Sequence, residues 1–372
     1  MSPAPPGPRG PGGAGPSPLP PPAPPNRFER HPRLTGLGFL AAALVVLEWA
    51  LRLADPVPLR FAHEMRRVHR YSRAWRVDLV PSSSARLRLD RSDGSPLLDF
   101  GLAAGEEAFR LGGGPAGLRA APPGTRYVHA IGDSYTMGWG VEARDAWPAV
   151  LDGRLPPGLR ALNLGVDGFG AIGATEKSVA LAERYPPALA VYLFSPNDPA
   201  DDERAAAAAA RPAAVHAANE ALDALRRASW LANVPFALRY RLQFRAGPAR
   251  TGHAADGSEG LVRPVLDLSR IPAPDPRHPT LAALRRYRDF LAGRGARLTV
   301  LVLSTQPESL RAYRFCREQG IETVLFDTPP AMRIPDEGHF NAAGNRAVAA
   351  LALSLVRRAG SGEPPGAGGT LE

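Results

Sequence analysis

Tyr127-Val128-His129-Ala130-Ile131-Gly132-Asp133-Ser134-Tyr135-Thr136-Met137-Gly138 is the stretch that decides how this chain is read. Residues 127–131 form a short apolar run rich in β-formers, which predicts a strand. The Gly-Asp-Ser that follows predicts a tight turn into a helix. A serine at such a turn exposes its hydroxyl and leaves its own backbone N–H free to donate, as an acyl-transfer nucleophile requires. Taken alone, a serine here is equally a helix N-cap or a plain turn residue. The rest of the chain has to decide.

Four further apolar runs lie at residues 161–164, 189–194, 298–303 and 322–326. Helical patterns fall at 171–184, 281–291 and 308–319, and another follows the last run at 342–357. Alternation of this kind predicts parallel βαβ units. The fold class is therefore a three-layer α/β/α domain over residues 126–358 with a five-stranded parallel sheet. Such sheets bind ligands at the carboxyl ends of their strands, so the residues just after each run are the candidates.

After the second run comes Asn163-Leu164-Gly165-Val166-Asp167-Gly168, where glycine lets backbone N–H groups approach a substrate oxygen. An ordinary βα loop looks the same. Gly168-Phe169-Gly170-Ala171-Ile172-Gly173 also matches the dinucleotide pattern G-x-G-x-x-G. The next acidic strand end is about thirty residues on instead of about twenty, and the match falls on the second strand. Nucleotide binding is thus a rival of another class. After the third run stands Ser195-Pro196-Asn197-Asp198, in which Asn197 offers a side-chain N–H to an oxyanion or makes an Asx turn. Before the last helix, Pro335-Asp336-Glu337-Gly338-His339-Phe340-Asn341 sets a histidine three residues after an aspartate. Asp336 is expected to fix the His339 tautomer, turning the other ring nitrogen to the serine. The alternative is a loop whose Asn341 caps the helix.

Together these residues resemble the SGNH (GDSL-type) hydrolase family, in the order that family shows. Ser134 in Gly-Asp-Ser matches its serine block, Gly168 its glycine, Asn197 its asparagine, and Asp336 and His339 its last block. The resemblance covers about residues 126–358. Residues 127–141 and 336–348 look most like membrane-anchored or exported members. It implies a serine ester hydrolase, of esterase, lipase or carbohydrate O-deacetylase type, working through an acyl-enzyme. The implied triad is Ser134, Asp336 and His339, with an oxyanion hole from the N–H groups of Ser134 and Gly168 and the amide of Asn197. No metal or organic cofactor is implied, and the substrate is a small-molecule, lipid or glycan ester. An O-acyltransferase on a cell-surface polysaccharide would use the same triad, and a non-catalytic protein could keep the fold. The family has Gly-x-Asn-Asp where this chain has Ser195-Pro196-Asn197-Asp198, so Ser195 is expected to change how Asn197 is presented.

Outside the domain, residues 1–33 are Pro-rich and expected to be a disordered cytoplasmic tail, as are residues 359–372 at the other end. Residues 34–54, LTGLGFLAAALVVLEWALRLA, span about 31 Å as a helix, enough to cross a hydrocarbon core of about 30 Å. A cleaved signal and a buried helix are the alternatives. Arg27, Arg30 and Arg33 before it favour a cytoplasmic N-terminus and a catalytic domain outside the cytoplasm, periplasmic or extracellular. Glu48 and Arg52 sit at i and i+4, able to pair. Residues 55–125 read as a connector with short strands, His63-Glu64 in it as a solvated amphipathic stretch because the zinc spacing His-Glu-x-x-His fails. Residues 199–280 read as a helical insertion bordering the substrate site. The net charge is +9, but the arginines are scattered, so no nucleic-acid partner is expected. The single cysteine, Cys316, reads as a small buried hydrophobe.

Overall fold

A computed structural model of the chain describes residues 26–91, 93–110, 121–245, 261–263 and 266–361. The tails expected at 1–25 and 362–372 lie outside these. The described part of the first expected tail is helical instead. Asn26 and Glu29 form a capping box on α1 (Arg27–Arg30), and α2 (Pro32–Ala54) starts at Pro32. The chain divides into two compact units, one ending at Ala50 and the other starting at Leu51. The helix α2 has 23 residues with mean hydropathy 2.0 and none of its side chains is buried, so by length and composition it can cross a membrane.

The second unit is built on a sheet of β5 (Arg126–Gly132), β6 (Leu159–Asn163), β7 (Pro187–Phe194), β8 (Arg297–Leu303) and β9 (Glu322–Phe326). Its order is β6-β5-β7-β8-β9 and every pair is parallel. Each of the five apolar runs is thus a strand. Alternate side chains of a strand point to opposite faces. Leu189, Val191 and Leu193 of β7 therefore join one core with Val128 of β5 and Leu301 of β8. Tyr192 and Phe194 join the other with Ile131 and Val300. A sheet covered on both faces needs such unbroken apolar strands.

The first core is closed by α5 (Trp147–Asp152), through Trp147 and Leu151, and by Val348, Ala352 and Leu355 of α12 (Ala342–Ser361). The second is closed by α6 (Ala171–Leu181), α10 (Pro279–Ala292) and α11 (Pro307–Glu318), which bury Ala174, Leu284, Tyr287 and Phe315. Each large side chain fully buried in this way contributes about 1.5–3 kcal/mol. Cys316 is among them, and burial pushes its thiol up to about 12. The chain grows from β5 to β6 on one side and then crosses to β7 on the other. That reversal makes the carboxyl end of β5 the crevice in which an open α/β sheet takes its ligands.

The stretch expected as a connector carries α3 (Val57–Val68) and two antiparallel hairpins, β1 (His69–Ser72) with β2 (Arg76–Leu79) and β3 (Ser84–Asp90) with β4 (Pro96–Ala103). The helix was hidden by its arginines, yet Leu59, Ala62, Met65 and Val68 fall at helical spacing and are buried. Phe61, Met65, Leu79, Leu87, Phe100 and Phe109 enter the same core as α6. Lys177 of α6, the one lysine in the chain, fastens this segment, donating to Asp78 Oδ1 and Ala108 O at 2.5 Å each. Among the described residues of the stretch read as an insertion stand α7 (Asp198–Ala209), α8 (Ala213–Ala228) and α9 (Val234–Arg245); α8 and α9 pack on α3. Because Lys177 and Asp78 are both buried, Asp78→Ala is expected to cost about 3–5 kcal/mol by leaving an uncompensated ammonium. Urea unfolding of the detergent-solubilised full chain measures it. The pair Asp78→Leu with Lys177→Met should recover most of the loss, and a single variant as stable as the parent would show the pair to be dispensable.

Candidate active site

Ser134 opens a single helical turn, α4 (Ser134–Met137), directly after β5. The chain bends into it at Gly132, whose φ of +146° is open to glycine alone. A Cβ there would lie 2.5 Å from Thr136 Oγ1 and 2.8 Å from the carbonyl oxygen of Leu193. Asp133 caps the turn, its Oδ1 accepting from the N–H of Tyr135 at 2.9 Å. At the other end, Arg110 is wholly buried and donates to the carbonyl oxygens of Met137, Gly138, Val141 and Gly101 at 2.5–2.9 Å. Among the described residues no acidic side chain hydrogen-bonds it, and burial pulls its guanidinium down to about 10. Sequence reading gave no hint of Arg110. Only the convergence of four carbonyls on one point makes a buried cation useful there.

The Ser134 hydroxyl lies 2.8 Å from His339 Nε2, and His339 Nδ1 lies 2.6 Å from Glu337 Oε1. Glu337 is buried, which pushes its carboxyl up. The charge of His339, the hydrogen bonds from its ring and backbone N–H, and one from Trp139 outweigh burial and hold Glu337 below its usual range. An ionised carboxylate only accepts. Nδ1 therefore carries the proton, Nε2 presents its lone pair, and the Ser134 hydroxyl donates to it. Tyr135 packs on the imidazole at 4.5 Å between ring centroids and Trp139 flanks it at 6.3 Å, so the ring is held in place from two sides.

Asp336, expected as the carboxylate of this arrangement, stands elsewhere. It takes a φ of +65° within a tight turn, and its largely exposed side chain meets Arg91 Nε at 3.2 Å. The turn is closed by the N–H of Ile334 on the carbonyl of His339 at 2.7 Å. This closure points residue 336 outward. Glu337, one methylene longer and two residues before the histidine, reaches back to both the backbone N–H and the ring. The alternative reading of the loop holds as well, since Asn341 Oδ1 accepts from the N–H groups of Ala343 and Gly344 and caps α12.

Gly168 lies in the loop after β6, with φ +75° and its carbonyl oxygen accepting from Arg76 Nη2 at 3.1 Å. Asn197 follows β7. Its amide nitrogen donates to Asp133 Oδ2 at 3.2 Å and to Asp201 Oδ2 at 3.0 Å, which ties it to the cap of the Ser134 turn. Beneath it, Ser195 Oγ lies 2.7 Å from Asp133 Oδ2, 2.7 Å from Asp198 Oδ1 and 2.8 Å from Asn197 Oδ1. A hydroxyl has one hydrogen, so these three acceptors share it. Burial first, then the charge of Asp133, push the Asp198 carboxyl well above its usual range, against the hydrogen bonds it accepts from Tyr192 and Ser195.

The rival nucleotide pattern has a physical answer. The N-terminus of α6, where a phosphate would sit, is filled by Asp202. Its Oδ2 accepts from the N–H of Ala171 at 3.0 Å and its Oδ1 from that of Ile172 at 2.9 Å. Its Oδ2 also accepts from Thr280 Oγ1 at 2.6 Å. Gly170 is needed for this approach and not for a ligand, because a Cβ there would lie 2.4 Å from Asp202 Oδ1.

A serine, a histidine and a carboxylate in line at the switch point of a parallel sheet define a serine hydrolase site. The family model of the GDSL-like Lipase/Acylhydrolase family matches residues 130–347, more than half of the chain. The chain belongs to this family, and it is an SGNH-type hydrolase acting on ester bonds. No curated protein matches it. Solved structures similar to it include the psychrotrophic esterase EstA from Pseudoalteromonas sp., at 10% identity over 63% of this chain and 97% of that one, TM-score 0.35. A carbohydrate acetylesterase family member from Sinorhizobium meliloti stands at 15% identity over 63% and 99%, TM-score 0.31. The aryl esterase of M. smegmatis stands at 12% over 63% and 99%, TM-score 0.31.

Two outcomes follow from the geometry. Burial pulls the His339 imidazole down, but the Glu337 charge and hydrogen bond, with the charges of Asp133 and Asp167, outweigh it and raise the pKa above the ordinary 6.5. A base must be neutral, so kcat/KM is expected to fall with acid along a limb centred above 6.5. Glu337→Gln removes the chief raising influence: the limb should move to lower pH while the rate drops by about 10²–10⁴-fold. Asp336→Asn should leave both unchanged, and pH–rate profiles of the two variants decide between the carboxylates. Separately, Ser195→Ala should lose about 1–3 kcal/mol of stability by leaving buried carboxyl groups without their shared hydroxyl. An unchanged urea midpoint would remove Ser195 from this network.

Proposed function

We propose that the chain is a membrane-anchored serine esterase in which Ser134 is the nucleophile, His339 the general base and Glu337 the carboxylate that orients it. The observation that carries this reading is the 2.8 Å contact of Ser134 Oγ with His339 Nε2, continued at 2.6 Å to Glu337. His339 takes the Ser134 proton as Oγ attacks the ester carbonyl. It then gives that proton to the departing alcohol oxygen, leaving an acyl-serine. Water, deprotonated by the same nitrogen, attacks the acyl carbon. The acid leaves and Ser134 regains a proton from His339.

The oxyanion is assigned to the N–H groups of Ser134 and Gly168 and the amide of Asn197. The first N–H groups of a helical turn have no acceptor within it, which favours Ser134. Asn197 would contribute by turning one N–H away from Asp201. Arg76 and Arg204 each hold Asp201 at 3.0 Å, so that carboxylate keeps partners when the amide leaves. Substrates are small-molecule, lipid or glycan acyl esters. α2 is the anchor, and Arg30 and Arg33 before its apolar part support a cytoplasmic N-terminus with the site on the other side.

Full-length protein in detergent is expected to hydrolyse p-nitrophenyl acetate and to take up a fluorophosphonate on Ser134. Ser134→Ala should lower turnover by about 10⁴-fold or more. Mass spectrometry of the labelled peptide checks the nucleophile directly. Equal rates, or label on another residue, would overturn the assignment. Release of free acetate in the absence of a sugar acceptor separates hydrolysis from acyl transfer.

A further inference from the structure

We propose that the outer faces of α8 and α9 rest on the surface of an anionic phospholipid bilayer beside the exit of α2, an inference that rests on reading α2 as the anchor. Both helices pack against α3 and turn leucines away from it. On α8, Val215, Leu222 and Leu225 fall on one stripe, and Leu225 is 54% exposed. On α9, Leu238 and Leu242 stand one turn apart at 56% and 67% exposure. The opposite side of α8 is the one that binds the protein: His216 and Asp223 are buried there, meeting Tyr71 and Arg227.

The place of these leucines and the charge around them select the occupant. Arg52 in the last turn of α2 donates to the carbonyl oxygen of Ala228, the final residue of α8, at 2.8 Å. Leu51 packs on the cluster of Leu59, Ala62 and Ala237, against which Trp230, just after α8, and Phe236 of α9 also pack. The two leucine-bearing helices are therefore tied to the residues at which α2 ends. α9 contains no acidic residue, and exposed Arg239 and Arg241 flank its leucines. Apolar side chains entering the acyl boundary, with arginines at the level of anionic headgroups, are the signature of a helix lying in a membrane surface.

The test uses the full chain with Cys316→Ala, carrying Leu222→Cys, Leu225→Cys, Leu238→Cys or Leu242→Cys labelled with an environment-sensitive fluorophore. Each is reconstituted in phosphatidylcholine–phosphatidylglycerol vesicles containing doxyl-labelled lipid. Val45→Cys in α2 reports the anchor, and Asp289→Cys on α10 reports solvent. All four leucine positions are expected to be quenched several-fold more than Asp289, and less so when phosphatidylglycerol is omitted. Leucine positions that behave like Asp289 while Val45 is quenched would overturn the docking alone. A blue shift without quenching by doxyl lipid, which means cover by protein, would do the same. Val45 left unquenched would overturn the anchor reading and the docking with it.

Discussion

The buried carboxylate of Asp133 is the constraint around which this site is arranged. It lies next to Ser134 in sequence, and it meets both sides of the crevice at once. One oxygen caps the turn that presents Ser134, and the other takes Ser195 and Asn197 from the neighbouring strand end. Burial pushes it up to about 6, against hydrogen bonds from Ser195, Tyr135 and Asn197 and the charge of His339. A buried charge without such partners would cost several kcal/mol. The arrangement is therefore stable only as a set. Asp198 belongs to that set, since it shares the Ser195 hydroxyl with Asp133, whose charge helps to push the Asp198 carboxyl up.

Placement of charge in the rest of the crevice follows the same economy. Arg110 gathers the carbonyl oxygens at the far end of the Ser134 turn, where a helix end leaves acceptors unmet. Asp202 does the converse at the start of α6, meeting N–H groups that would otherwise invite an external anion. The chain has thus closed with its own side chains the one helix start that resembled a phosphate site. The Ser134 turn is treated differently: Asp133 meets the N–H of Tyr135, and nothing in the cap uses that of Ser134.

How much of this was legible in the sequence depended on the range of each interaction. Strands and helices of the sheet were readable because burial on two faces leaves an unbroken apolar run, and β5 to β9 fall where those runs do. Ser134, Gly168 and Asn197 were candidates because strand ends are where a parallel sheet keeps its chemistry, and His339 because it stands beside acidic residues in the loop before the last helix. The choice between Asp336 and Glu337 was not readable. Both carboxylates adjoin the histidine, and a positive φ at residue 336 turns the nearer-looking pair apart. Sequence reasoning favoured the spacing of three; the backbone favoured the longer side chain at a spacing of two. Arg110 acts through a contact 27 residues away in sequence, and no local pattern announces it.

The segment between α2 and the sheet was also underestimated, for a related reason. Its arginines masked a helix whose buried side is short, and its hairpins have no apolar run long enough to stand out. Yet Phe61 of α3 meets Trp139 edge-on at 6.3 Å, and Phe100 of β4 meets the same ring at 5.3 Å. Trp139 in turn flanks His339 at 6.3 Å between ring centroids. Arg76 of β2 holds the carbonyl of Gly168 and the carboxylate of Asp201. His339 and the glycine loop are therefore braced from outside the strands that carry them, by residues of the segment between α2 and the sheet. A parallel sheet alone would set the serine and the histidine near one another. Fixing the imidazole plane and the loop backbone to within the tolerance that proton transfer demands takes the added layer.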